Sequence, residues 1–177
     1  MFKVSDIIHT APEKFSTPLQ KEVYSAFARL EIPFERVDTD PGLTMEDCQW
    51  IDEKIGCRIV KTLFLCNRQQ TEFYLYVTSD DKPFITKEFC GKLGIPRVSF
   101  AGPDNLRKLT GVEVGATTIL SAVLPEAATV HLVMDKEIER SDVFACTDGT
   151  PTCFVKIKTK DLLEKYLPST GHSLVVI

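Results

Sequence analysis

The sequence predicts a mixed α/β fold of the α+β kind, a curved or closed mixed sheet with helices on its outside. Three observations predict it. Runs rich in β-branched and apolar residues outnumber helical ones. The helical segments sit between short hairpins, so the strict βαβα alternation of a doubly wound fold is absent. The chain has 177 residues, 44% hydrophobic and 26% charged, which suits one globular domain with its own core.

The elements follow in order. Residues 1–16 carry weak signals and are expected as a loose arm ahead of a domain spanning 17–177. Thr17 is a natural N-cap, Pro18 suits the first helical position, and Gln20 completes a capping box. Leu19, Val23, Phe27 and Leu30 then recur at helical spacing, predicting a helix over 18–30 that Pro33 ends. Phe34 to Val37 is a short strand. Asp40-Pro41-Gly42 is turn chemistry, and Thr44 with Asp47 opens a second helix that Gly56 stops. A hairpin follows, with strands at 58–66 and 71–78 around the polar turn 67–70. Thr86 to Leu93 is a helix closed by Gly94, Val98 to Phe100 a strand, and Pro103-Asp104 the start of a helix ending near Leu109. The second half reads mostly as strand, at 112–120, 130–134 and 154–158. Thr159 caps a last helix through Tyr166, and 173–177 is a terminal strand.

Composition removes several function classes. The formal net charge of −4 argues against a surface coated in basic residues for long nucleic acid, and DNA is not expected as a partner, although a local basic patch suffices for a short nucleic-acid end. No apolar run approaches the roughly 20 residues of a membrane span. The first residues, MFKVSDIIHTAPEKF, show no secretory pattern. The six cysteines are scattered without a CxxC, so most are expected as reduced, buried thiols of a cytoplasmic protein. His9, His131 and His172 are far apart, no zinc motif exists, and neither metal nor cofactor is expected. No phosphate-binding glycine loop and no GxSxG elbow is present.

Two features remain. Lys61 sits in the apolar run CRIVKTLFLC. Alternation sets it with Ile59, Leu63 and Leu65 on one face, while Val60, Thr62 and Phe64 make the other. Both faces look covered, and a buried ammonium is costly unless it is paired or reaches a polar cavity. Its stem could also snorkel along apolar neighbours to solvent. The second feature is Gly111-Val-Glu-Val-Gly115-Ala-Thr-Thr-Ile119. Glycines there let backbone approach a ligand and aim amides at an oxyanion, or they simply stop a helix and open a strand.

The order of motifs carries a resemblance. VKTLFL is followed by LGIPRVSFA (Leu93 to Ala101), LTGVEVG, VHLVMDKEI and DLLEKYLPSTGH. Over residues 17–177 the chain resembles the YbaK/prolyl-tRNA-synthetase-associated domain family, and within it the freestanding deacylases that clear alanine mischarged onto proline tRNA. The resemblance implies a mixed, largely antiparallel, β-barrel-like sheet wrapped by helices. It also implies metal-independent hydrolysis of the aminoacyl ester on a tRNA acceptor end, with prolyl-tRNA synthetase as a further partner.

The family's strand lysine falls on Lys61, in contact with the tRNA end. Its Gly-x-x-x-Pro loop falls on Gly115 to Ile119, whose backbone binds the ester carbonyl and helps place water. Thr44, Thr118, Ile119, Ala145, Gly149 and Thr152 then fall in the substrate pocket, and Arg58, Lys92 and Arg97 on the tRNA. Three positions depart from the pattern: Ile119 replaces the loop proline, Ala145 a histidine, and Gly149 an asparagine. A His-Pro near the first turn is also replaced, by Asp40-Pro41. Two readings follow. The chain is an editing deacylase with an altered pocket, or it is a non-catalytic member that senses a charged tRNA end or an amino-acid derivative, or partners a synthetase.

Overall fold

The computed structural model describes residues 1–177. Eight strands form two open sheets. β1 (Glu35–Asp38), β6 (Val143–Thr147) and β7 (Cys153–Lys158) make a three-stranded antiparallel sheet in the order β1-β7-β6. β2 (Lys61–Asn67), β3 (Phe73–Thr78), β4 (Val98–Phe100), β5 (His131–Met134) and β8 (Leu174–Val176) make the second, in the order β4-β2-β3-β5-β8. Within it β4, β2 and β3 pair antiparallel, while β3-β5 and β5-β8 are parallel. The sheets do not close into a barrel. They meet at one seam, where Ile59 bridges Ala145 and the Val60 amide donates to the Ala145 carbonyl at 2.9 Å.

The helices form where their caps are. α1 (Pro18–Arg29) starts under Thr17, whose hydroxyl accepts from the Gln20 amide. α2 (Met45–Ile55) starts on a complete Thr44–Asp47 capping box and ends at Gly56 in the left-handed region. α3 (Thr86–Leu93) and α4 (Pro103–Thr110) also end on left-handed glycines. After the short α5 (Lys136–Glu139), the last helix runs as α6 (Thr159–Asp161), a π-helical turn (Leu162–Tyr166) and α7 (Leu167–Ser169). Pro168 has no N–H for the carbonyl four residues back, and the ladder widens there, with the Leu167 amide reaching Leu162.

Both faces of β2 are covered. Phe64, with Val60 beside it, joins the main core, which α1 and Ile119, Leu120 and Tyr166 fill. Leu65, with Leu63 beside it, joins a second cluster capped by Phe89 and Cys90 of α3. A third, small cluster holds Ile51 and Ile55 of α2 against Val37, Ala145 and Phe154.

Three expectations are corrected. Residues 112–120 are not a strand. The Ala116 amide donates to Glu113 across a turn, Gly115 has φ 94°, and Thr118 caps a 3-10 helix over Ile119–Val123. β6 is a strand that the sequence pattern did not announce. Residues 1–16 do not hang loose: Val4 and Ile8 bridge Thr39 and Arg36 along the free edge of β1, and the Arg36 guanidinium donates to the Thr10 carbonyl. That edge would otherwise present unpaired backbone.

Candidate functional site

The seam between the sheets gathers part of the residues singled out in the sequence: Ala145 lies in it, Lys61 just after it, and Thr118 packs against the neighbouring Cys146. Lys61 opens β2, half-buried, on the face that carries Leu63 and Leu65. Its Nζ donates to the Lys82 carbonyl at 2.6 Å, and no carboxylate lies within ion-pair distance. A neutral acceptor leaves the ammonium's charge uncompensated and available to an anion. The turn that supplies this carbonyl is itself held in place. Lys82 pairs with the buried Asp135, which also accepts from Tyr76 and caps α5 through the Glu137 amide. Burial raises the Asp135 carboxyl, but the bonds from Lys82 and the Glu137 amide outweigh it and hold the pKa below the usual range.

The glycine segment reaches the seam from the main-core side. Thr118 is fully buried, and its hydroxyl donates to Cys146 Sγ at 3.6 Å, one residue along β6 from Ala145. Val114 and Gly115 stand exposed at the tip of the segment, and a side chain at Gly115 would meet no heavy atom within 4 Å. The left-handed φ of Gly115, not crowding, is what asks for glycine. Thr62, next to Lys61, holds a buried hydroxyl with no hydrogen-bond partner on the opposite face of β2.

Other expected pocket residues have structural duties. Ile119 and Ala145 are fully buried and line no open cavity. Thr44 caps α2, and the Thr152 carbonyl accepts from the Thr39 amide. Gly149 is buried with φ 97°, and a Cβ there would stand 2.6 Å from Leu19 Cδ2 and 3.2 Å from Leu19 Cγ. An asparagine could not enter without displacing Leu19, so the departure at 149 goes with the packing of α1. Gly149→Ala is expected to lower stability by about 2–3 kcal/mol, from overpacking and left-handed strain together, read as a lower urea midpoint at unchanged slope.

The loop around Gly149 holds a residue the sequence reading missed. Asp148 is fully buried. Its Oδ2 accepts from Gln20 Nε2 and the Tyr24 hydroxyl, both at 2.8 Å, and its Oδ1 accepts from the Thr150 amide and hydroxyl at 3.1 and 2.7 Å. These bonds tie the 147–152 loop to α1. The Asp148-Gly149 dipeptide signals a turn, but nothing in it signals burial. Burial, and then the Asp148 carboxyl, push the Tyr24 hydroxyl and the Cys153 thiol far above their ordinary values.

Of the three expected tRNA contacts, Arg58 is the one already ion-paired within the protein. Its guanidinium reaches Asp81 at 2.7 Å and Asp80 at 3.6 Å, which neutralises it. Lys92 and Arg97 are exposed and have no such partner. Arg97 lines a cavity of about 440 Å³ with Thr86, Lys87 and Cys90. All six cysteines are free. Burial pushes Cys146, beside the seam, up to about 12, so it is not a thiolate nucleophile at neutral pH. No helix is long and apolar enough to cross a membrane.

Known proteins bear on this geometry. The prolyl-tRNA editing protein ProX of Acetoanaerobium sticklandii is 28% identical over 158 residues, covering 89% of this chain and 96% of that protein. A prolyl-tRNA synthetase associated domain-containing protein 1 of Danio rerio is 26% identical over 161 residues, covering 90% and 86%. A solved structure described as a proposed trans-editing enzyme for prolyl tRNA synthetase superposes with a TM-score of 0.65 at 19% identity, covering 92% of this chain and 98% of that one, which shows a shared fold. The profile of the aminoacyl-tRNA editing domain matches residues 41–165, from the turn before α2 into the last helix, and so takes in Lys61, the glycine segment and the whole seam. The chain belongs to the aminoacyl-tRNA editing domain family.

Proposed function

We propose that the protein is a trans-editing aminoacyl-tRNA deacylase that hydrolyses the ester of a mischarged tRNA, with alanine on proline tRNA as its leading substrate. The observation that carries the reading is Lys61: an uncompensated ammonium at the seam, within the stretch that matches the editing domain. A cation there suits the anionic, hydroxyl-rich end of a tRNA. An aminoacyl ester is already activated, so positioned water and backbone amides facing the developing oxyanion carry much of the rate without a protein nucleophile. The exposed turn at Val114 and Gly115 is the candidate source of those amides, and the ribose hydroxyl beside the ester is the candidate proton relay.

Ile119, Ala145 and Gly149, whose departures from the family pattern favour a non-catalytic reading, are buried within the fold. Lys61 and the exposed glycine tip are untouched by those changes, and this supports turnover. Discrimination then works as a size sieve: a pocket closed to proline and open to a smaller side chain selects by exclusion, the direction in which steric discrimination is strongest. Prolyl-tRNA synthetase is proposed as a partner that hands over the charged tRNA.

The test is release of labelled amino acid from proline tRNA charged with alanine, serine, cysteine or proline. Alanine is expected to leave fastest and proline to be spared. Tight binding of all four without release would instead assign the protein to the sensing class.

A further inference from the structure

β4 is an edge strand, and Phe100 at its end stands 63% exposed. Phe100 pairs with Leu65, so its ring lies on the sheet face that also carries Lys61 and Leu63. It is not a floppy surface residue. Phe84 meets it in a T-shaped contact at 5.8 Å between centroids, and Phe84 is braced in turn by Phe89 at 5.5 Å. Part of the ring is thus held by protein and the rest is open. Arg97, just before β4, shares a cavity with Lys87 of α3, and Lys92 of α3 lines a second cavity with Phe84; all three cations are exposed and without a carboxylate partner. Four residues of strand separate Lys61 from the position opposite Phe100, about 13 Å at the usual rise.

One exposed apolar side chain is ordinary. A braced aromatic ring on an edge strand, with unpaired cations just before that strand and on α3, is a more particular combination on a protein of net charge −4. It is the chemistry that holds single-stranded nucleic acid, with cations tracking phosphates and a π-face for a base. The other natural occupant of a sheet edge is a second copy of the chain. A twofold contact would set the same cations against one another, which disfavours it.

We propose that Phe100 is a stacking platform for an unpaired base close to the aminoacylated terminal nucleotide, with Arg97, Lys87 and Lys92 holding the adjoining phosphates. The proposal rests on the deacylase reading and deepens it. Phe100 is a substrate-positioning residue: the ester lies near Lys61, and the platform acts on the strand that leads to it.

The experiment compares Phe100→Ala and Phe100→Trp with wild type on two substrates, Ala-tRNA(Pro) and a bare alanyl ester of adenosine. For Phe100→Ala, KM for the charged tRNA should rise about tenfold with kcat within about twofold, cleavage of alanyl-adenosine should be unchanged, and Phe100→Trp should restore KM. An unchanged KM overturns the proposal. So does an equal loss on both substrates, which marks a folding role, and so does a wild-type dimer that Phe100→Ala turns into a monomer. A wild type that releases no amino acid sinks the deacylase reading. The platform is then read by fluorescence quenching of a 2-aminopurine base placed near the end of a short acceptor-strand RNA: quenching by wild type but not by Phe100→Ala supports it, and equal quenching overturns it.

Discussion

Lys61→Ala should lower the rate of deacylation by at least about 100-fold, the scale seen when a preorganised electrostatic contact to a reacting group is removed. Stability should barely move. The ammonium makes a single bond, to the Lys82 carbonyl, on a half-buried residue, so its loss is expected to change unfolding free energy by less than about 1 kcal/mol. The paired readout separates a working lysine from one that props up the strand. Lys61→Arg sharpens it. A planar guanidinium keeps the charge but not the compact geometry of the ammonium, and partial recovery would show that charge at the seam is most of what is needed. A Lys61→Ala enzyme with normal turnover would remove Lys61 from the mechanism.

The second large effect concerns Asp148, buried in the loop that follows β6. Truncation to alanine leaves the Gln20 amide, the Tyr24 hydroxyl and both Thr150 donors without their buried acceptor. Each orphaned donor costs about 1–3 kcal/mol before relaxation, so Asp148→Ala is expected to destabilise by about 4 kcal/mol. Asp148→Asn should cost less. Its carbonyl still serves Thr150, and only the side facing Gln20 and Tyr24 must rearrange. Chemical denaturation of the two variants measures both values. A loss below about 1 kcal/mol for the alanine variant would mean that water replaces the carboxyl and that the loop is not tied to α1 as described.

Local chemistry was legible where one cap or one turn settles the backbone. Thr17-Pro18 and Thr44–Asp47 mark helix starts through bonds that close within three residues, and the structure shows those bonds. Which side chains share a face with Lys61 was readable for the same reason, since successive side chains of a strand alternate between its two faces. Residues 112–120 misled because valine, threonine and isoleucine suit any well-packed position, and β propensity measures fit to a pleated surface more than a backbone preference. There, Gly115 and the Thr118 cap decide the path. β6 was hidden for the opposite reason: Phe144-Ala145-Cys146 is a weak strand run that pairing with β7 and the seam holds extended.

The site was legible in its chemistry but not in its depth. A motif sets Lys61 and Gly115 at matching positions, yet which neighbours are sealed depends on long-range packing. Leu19, 130 residues away in sequence, fills the space beside Gly149. Arg58 likewise looked free until the Asp80-Asp81 turn came back to meet it.

The most direct test of the central claim is a single-turnover measurement of ester cleavage by the wild-type protein in excess over Ala-tRNA(Pro), with Pro-tRNA(Pro) alongside. Alanine should be released at least about 100-fold faster than by spontaneous hydrolysis while the prolyl ester decays at its spontaneous rate. Spontaneous rates for both esters would contradict the assignment of this protein as an editing deacylase.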